Sequence, residues 1–404
     1  MDDGFARAPR ELIQLHISMD YLGYARPPRT GRGPGFARFD GRRGSSKMIL
    51  GQIMGWGRCS VLHHRTAAWR FAGLLVCTVL LGLLCWPLVA ASQNKETGAL
   101  TFGILPIGGP SESLVAWRPM LDDMSEALHR PVRSISVSTY EGLAEAIAED
   151  RVDVAFVSGR MALQAVTRDR MEVVAQLTRG DGSHGYYAVL LVLKDSPIRT
   201  LTDLYAKPGH WRFARGESLS TSGYLVPETQ LFASHKLDSD TFFASVKVDN
   251  HQNNALAVAN GEVDVATNNT ADLERFSQYF PDQYARLRIL WKSTLIPHAV
   301  IIVRKDLDPA LRADITAFIT HYAKDGRNAE AELAKIKRIH DISGFAPASD
   351  AVLIPFADID YHLDRRRALN VRWVSDAAMQ ARLQKIASTH QQILRMLNRP
   401  VGTP

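Results

Sequence analysis

From Gln93 to Pro404 the chain contains no cysteine; Cys59, Cys77 and Cys85 all lie before that point. This body can hold no disulfide, no thiolate nucleophile and no cysteine-bound metal, and it tolerates an oxidising compartment. It also has no excess of positive charge. The chain as a whole carries 48 Lys and Arg against 42 Asp and Glu; residues 1–92 hold 12 and 5 of these, leaving 36 against 37, a net −1, for residues 93–404. The basic excess lies in the leader alone, and nothing in the body suggests a nucleic-acid surface. No G-x-S-x-G elbow, HExxH helix or phosphate-binding P-loop is present, so the common signatures of hydrolases, metalloproteases and nucleotide enzymes are missing. Nothing after Leu397 resembles a second membrane helix, a kinase or a signalling module.

The leader holds one long apolar run, Phe71 to Ala91, preceded by Arg65 and Arg70 and closed by Leu88-Val89-Ala90-Ala91-Ser92. Charge, apolar run and small-residue site in that order predict a secretory signal, cleaved near Ser92. The run is also long enough to span a bilayer, so an uncleaved N-terminal anchor is the alternative. Leu83-Leu84-Cys85 is a weak lipoprotein site, because Leu84 sits where a small residue is expected. Residues 1–47 are rich in Arg, Gly and Pro and have no periodicity, which predicts disorder. Met48 and Met54 could each open a conventional signal, so the true start is expected downstream of Met1. In every case the body is exported.

From Leu100 onward strand-like and helix-like segments alternate, the pattern of an α/β protein. Strands are expected at 100–105, 132–137, 152–157, 173–177, 186–193, 245–248, 263–267, 286–291 and 299–303, with helices between them. A charged helix pair is expected on the surface from Arg366 to Leu397. One internal echo organises the rest. Ala144-Glu-Ala-Ile-Ala-Glu-Asp-Arg-Val-Asp-Val-Ala155 is repeated as Ala255-Leu-Ala-Val-Ala-Asn-Gly-Glu-Val-Asp-Val-Ala266. Two copies of one α/β unit predict two similar lobes. Tyr140 and His251 fall at equivalent places, each beside a capping-type residue (Thr139, Asn250) at the start of its helix. Ligands gather where helix N-termini meet the carboxyl ends of strands, so facing lobes would bring Tyr140 and His251 to one cleft. Asp153 and Asp264, also equivalent, read as structural rather than as a catalytic pair.

Ser220-Thr221-Ser222-Gly223 follows a strand-like segment and precedes an apolar run. Hydroxyls at a helix start either cap it or hold an anion beside its free N–H groups. Three in a row exceed what one cap requires, although an overbuilt cap remains open on these residues alone.

With Asp181-Gly182-Ser183-His184-Gly185-Tyr186-Tyr187 before it, and His251-Gln252-Asn253-Asn254 running into Val263-Asp264-Val265-Ala266-Thr267-Asn268-Asn269 after it, this segment resembles the periplasmic substrate-binding proteins of phosphonate, phosphite and phosphate ABC transporters. The resemblance runs from about Leu100 to Pro355. It implies an α/β fold of the type II periplasmic-binding class, two lobes on a two-stranded hinge. Lobe 1 would comprise 93–186 and 292–360, lobe 2 would comprise 187–291, and a helical extension would run over 361–404. It implies that Ser220, Thr221 and Ser222 hold the oxygens of a small phosphorus oxyanion, with Tyr140, Tyr186 and His251 completing the cage. The implied partners are an ABC permease and its ATPase, with no cofactor, metal or nucleic acid. Members that take an aminoalkyl phosphonate place carboxylates where this chain has Ala271 and Ala299, so a ligand without an amino group is expected; Asp272 could substitute only through a shift of register. Arg160 and His298 read more readily as surface residues than as ligand contacts. A membrane-tethered sensory domain of the same fold is the alternative function.

Overall fold

The computed structural model describes residues 98–399, apart from 108, 169, 340 and 341. The signal or anchor, the expected disorder of residues 1–47 and the start codon therefore lie outside the described residues. Among the described residues no helix is long and apolar enough to cross a membrane.

Eleven strands form two sheets among the described residues. The first has six strands in the order β11-β4-β10-β3-β1-β2, formed by β1 (Leu100–Ile104), β2 (Val132–Ser136), β3 (Val154–Val157), β4 (Met171–Arg179), β10 (Val300–Arg304) and β11 (Ile342–Pro347). The second has five in the order β7-β6-β8-β5-β9, from β5 (Gly185–Leu193), β6 (Arg212–Arg215), β7 (Ser245–Val248), β8 (Val265–Asn269) and β9 (Leu287–Pro297). In each sheet one parallel trio is built from the repeated α/β unit: β1 lies between β2 and β3, and β6 between β7 and β8. The inner strands β3 and β10, Val-Ala-Phe-Val and Val-Ile-Ile-Val-Arg, are buried at every residue because helices cover both faces of the sheet. The chain passes between the sheets twice, from β4 into β5 and from β9 into β10, and Gly185 pairs with Pro297 where the two passages run side by side. These two strands are the hinge.

The internal repeat carries one structural device in both lobes. The Asp153 carboxylate accepts the Thr101 N–H at 2.9 Å, and the Asp264 carboxylate accepts the Arg212 N–H at 2.8 Å, partners 52 residues apart in each case. Each aspartate also pairs with an arginine, Arg304 at 3.0 Å and Arg212 itself at 2.8 Å. A carboxylate that ties the start of the neighbouring strand is spent on the sheet, as the structural reading of the pair requires.

Trp117 fills the centre of the first lobe against Phe102 and Phe156, with ring centroids 5.2 and 5.0 Å away. In the second lobe Phe213 stacks on Phe243 at 4.2 Å. The C-terminal helix pair departs from expectation. Its first helix spans Ile354–Asn370, with a proline in its first turn, and begins well before Arg366. The added N-terminal part is buried at Phe356, Tyr361 and Leu363, whereas most of 366–397 is exposed or half-buried, as expected of a surface pair. Phe356 packs so tightly on Gly159 that a Cβ there would lie 2.1 Å from the ring. Further along, Arg366 donates to the Thr229 carbonyl at 2.9 Å and Arg367 to the Tyr224 hydroxyl at 2.6 Å. One helix thus touches both lobes behind the cleft.

Candidate ligand-binding site

Several helix starts point into one cleft between the lobes. Thr139 caps the Tyr140–Ala148 helix by accepting Gly142 N–H, and Asn250 caps the His251–Ala259 helix through Asn253 N–H. Ser158 caps the Gly159–Thr167 helix, and Asn269, the last residue of β8, caps Thr270–Tyr279. Ser220 opens a π-helical turn, Thr221–Leu225, in which Leu225 N–H reaches back to the Ser220 carbonyl at 3.1 Å. The first-turn N–H groups of such helices carry partial positive charge with no partner inside the helix. Their convergence gives the cleft a partial positive charge of the kind that favours an anion, with no lysine in it.

A cavity of about 80 Å³ lies at that convergence, and all six residues expected there (Tyr140, Tyr186, Ser220, Thr221, Ser222, His251) line it. A water needs roughly 10–15 Å³ of such space, so the cavity suits a ligand of about five to eight heavy atoms. Three other features of its lining matter: the apolar residues Leu105, Ile107, Phe156, Leu177, Ala271 and Ala299; the basic Arg179; and the acidic Asp272.

The three consecutive hydroxyls divide their work. Ser220 Oγ accepts Gly223 N–H at 3.0 Å and so is the cap. Thr221 Oγ1 accepts the Arg160 N–H of the other lobe at 3.1 Å. Ser222 Oγ lies 3.4 Å from His251 Nε2 and 3.3 Å from Asn269 Nδ2. Glycine is required next to them, since a Cβ on Gly223 would come within 2.7 Å of Ser220 Oγ and 2.8 Å of Gly216 Cα. Burial, followed by the charge of Asp272, drives the Tyr140 phenol far above its ordinary range; burial does the same to Tyr186. Both phenols therefore stay neutral and keep an O–H to donate.

The lobes are closed on each other around this cavity. Tyr140 N–H donates across to the Glu217 carboxylate at 2.9 Å, Ser158 Oγ–H to the Leu219 carbonyl at 3.1 Å, and Arg179 pairs with Glu274 at 2.5 Å. Glu112 and Arg275 form a further ion pair between the lobes.

Residues 102–353 match the family described as the periplasmic substrate-binding protein of the phosphonate ABC transporter. The phosphonates-binding periplasmic protein of Escherichia coli K12 is 37% identical over 282 residues, 69% of this chain and 80% of its own length. The chain belongs to this family of ABC-transporter substrate-binding proteins. A binding protein component of the Pseudomonas aeruginosa ABC phosphonate transporter superposes with a TM-score of 0.68 at 30% identity, covering 74% of this chain and 96% of that one. A methylphosphonate complex from Prochlorococcus marinus, 18% identical over 68% of this chain and 99% of its own, shares the fold with a TM-score of 0.57. The fold is the type II periplasmic-binding fold, two α/β lobes on a two-stranded hinge.

Against the sequence expectations for this family, two placements change. His298 is not on the surface: it is buried, lines the cavity and stacks on Tyr186 at 6.1 Å with its Nε2 3.1 Å from the Ser183 carbonyl. Burial lowers its pKa, which keeps the ring neutral. Arg160 is likewise buried but lies behind the cavity wall, paired with Asp360 at 3.0 Å and donating to the Ser218 carbonyl. Asp272 also lines the cavity, two residues beyond the start of its helix, held by Asn269 Nδ2 at 2.6 Å. Asn269 and Arg179 were not singled out from sequence. Both stand at the carboxyl ends of strands, β8 and β4, where the rule that ligands gather at strand ends would have found them.

Proposed function

We propose that this protein captures a small phosphorus oxyanion without an amino group (a phosphonate, phosphite or phosphate) and delivers it to an ABC permease and its ATPase. Ser220, Thr221 and Ser222, with Tyr140, Tyr186 and His251, would donate to the ligand's oxygens. The single observation that carries this reading is the meeting of all six side chains with several helix starts in one cavity of about 80 Å³. A tetrahedral oxyanion spreads its charge over three oxygens and takes many donors. Neutral hydroxyls and backbone N–H groups supply them, and Arg179, the one arginine among the described residues of the wall, is already engaged by Glu274. The apolar side, with Ala271 and Ala299, suits a hydrogen or a short alkyl substituent and offers no carboxylate there for an ammonium. Membership of this family is membership of a periplasmic transport family; the finer reading is that Phe71–Ala91 is a signal peptide cleaved near Ser92, that no cofactor or metal takes part, and that the ligand leaves unchanged. The phosphate-import protein of Mycolicibacterium smegmatis, 22% identical over 276 residues, keeps phosphate among the candidates.

Calorimetry on the purified protein with methylphosphonate, phosphite, phosphate and 2-aminoethylphosphonate tests the ligand. Replacing Ser220, Thr221 and Ser222 together by alanine is expected to weaken the best ligand by a thousandfold or more, at roughly 1.5–3 kcal/mol for each hydrogen bond to a charged group. Unchanged affinity would return the triplet to being a helix cap. Mass spectrometry of the exported protein reads the N-terminus: Ser92 supports the soluble carrier, and an intact apolar run supports a tethered form.

A further inference from the structure

An anion cavity with a carboxylate in its wall asks for a ligand that brings a proton. Asp272 is that carboxylate. Its place within the cavity is set by a ring of contacts: Asn269 Nδ2 is 2.6 Å from Asp272 Oδ2 and 3.3 Å from Ser222 Oγ, Ser222 Oγ is 3.4 Å from His251 Nε2, and His251 Nε2 is 3.9 Å from Asp272 Oδ2. Asp272 therefore stands among the groups that would grip the oxygens, Ser222 and His251 among them. Its side chain is about 15% exposed, so little water screens it. The charges and titratable groups around it are His251 at the start of the neighbouring helix, Tyr140 from the opposite lobe and Tyr186 from β5, Arg179 and His298 in the same cavity wall, and Arg275 on its own helix, which is engaged by Glu112.

Resting on the reading of this cavity as a phosphorus-oxyanion site, we propose that Asp272 selects the singly protonated form of the ligand, accepting a hydrogen bond from its P–OH. A fully ionised phosphonate or phosphite would set a bare oxygen against the carboxylate, with negative charges meeting in a site of low effective dielectric. A hydrogen phosphonate, hydrogen phosphite or hydrogen phosphate carries the one proton that turns this repulsion into a charge-assisted hydrogen bond. A sulfonate or sulfate, with no such proton at neutral pH, is refused although its shape is the same. An ammonium is not the partner, because it would have to enter at the end where the hydroxyls converge and displace the oxyanion.

Methylphosphonate and methanesulfonate test this directly: the monoanion of the first and the second have one charge each and nearly one shape, and differ by a proton. The wild-type protein is expected to bind methanesulfonate about 10- to 100-fold more weakly than methylphosphonate at pH 6, the worth of one hydrogen bond to a charged group. Its affinity for methylphosphonate is expected to fall about tenfold per pH unit above the ligand's own second ionisation, as the competent fraction falls. With trifluoromethylphosphonate, a stronger acid, the fall should begin at lower pH. In Asp272→Asn, whose amide keeps an acceptor for Asn269 and gains a donor for the ligand, the pH dependence should flatten and the gap to methanesulfonate should close. Methanesulfonate within a few-fold of methylphosphonate on the wild type would overturn the proposal, as would a pH midpoint that stays put when the ligand is changed. Both are read on the wild type and need no variant to fold. If methylphosphonate fails to bind at any pH, the oxyanion reading itself falls and this inference with it; binding that ignores the proton removes this inference alone.

Discussion

Replacing Glu217 with glutamine removes one titration from the mouth of the cleft while keeping its shape. Glu217 belongs to the second lobe, and its carboxylate accepts Tyr140 N–H at 2.9 Å and Glu141 N–H at 3.4 Å from the first. Glu141 in turn accepts Ser218 Oγ–H at 2.8 Å, so two carboxyl groups of opposite lobes face each other. Burial, and then the hydrogen bond to Glu141, push the Glu217 pKa from the ordinary 4.5 up to about 7. Glu141 moves the other way, its own burial outweighed by hydrogen bonds from Glu217 and Ser218. The pair shares one proton. Because the raised carboxyl holds its proton more tightly in the closed protein, its contribution is complete below about 4.5 and is lost as pH rises through about 7. At full strength that span is worth roughly 3.4 kcal/mol. Glu217 is only half buried, and solvent screening brings the figure to about 1 kcal/mol. Glutamine mimics the protonated form at every pH. The ratio of wild-type to Glu217→Gln dissociation constants for one ligand, measured from pH 5 to 8.5, is therefore expected to rise about fivefold across neutrality. The ligand's own ionisation cancels in this ratio. Melting temperatures should diverge in the same direction by about 1.5 °C. A ratio that does not change with pH would refute the shared proton.

Two further outcomes follow from packing and charge. Asp360→Ala removes the carboxylate partner of Arg160, in a pair with side-chain exposures of 8% and 11%; it should cost about 3–5 kcal/mol in denaturant unfolding, most of which Arg160→Met with Asp360→Leu recovers. Ala271→Glu puts a carboxylate on the apolar side of the cavity, and calorimetry should show 2-aminoethylphosphonate gaining at least about tenfold on ethylphosphonate, with no gain if Ala271 is remote from the ligand's substituent.

Tyr140 and His251 could be found in the chain because duplication leaves a spacing, and a spacing survives in one dimension. The same duplication explains why Asp153 and Asp264 read correctly as structural: each holds the strand next to its own. Ser220, Thr221 and Ser222 were visible as a surplus of hydroxyls, but not their division of labour. Ser220 acts within its own turn, whereas Thr221 meets Arg160 and Ser222 meets His251 and Asn269, partners fixed only when distant segments close.

The buried first half of the C-terminal helix, ahead of Arg366, was missed for a related physical reason. A helix that buries one face on one lobe shows an apolar stripe. Ile354–Asn370 buries Phe356 in the first lobe, Tyr361 against Ile386 and His390 of the last helix and Leu363 against the second lobe, and it uses Asp360, Arg366 and Arg367 as partners, so no single stripe forms and its charges look like those of a solvated surface. Asp272 is the sharpest instance. In the chain it is an acidic residue in the first turn of a helix whose cap is Asn269, a place where a carboxylate is favoured by the helix dipole with no ligand in view. The cap and the cavity wall share Asn269 and Asp272, seen from two sides, and it is the presence of Tyr140 from the other lobe in the same wall that would make that carboxylate a matter of ligand chemistry rather than of helix ends.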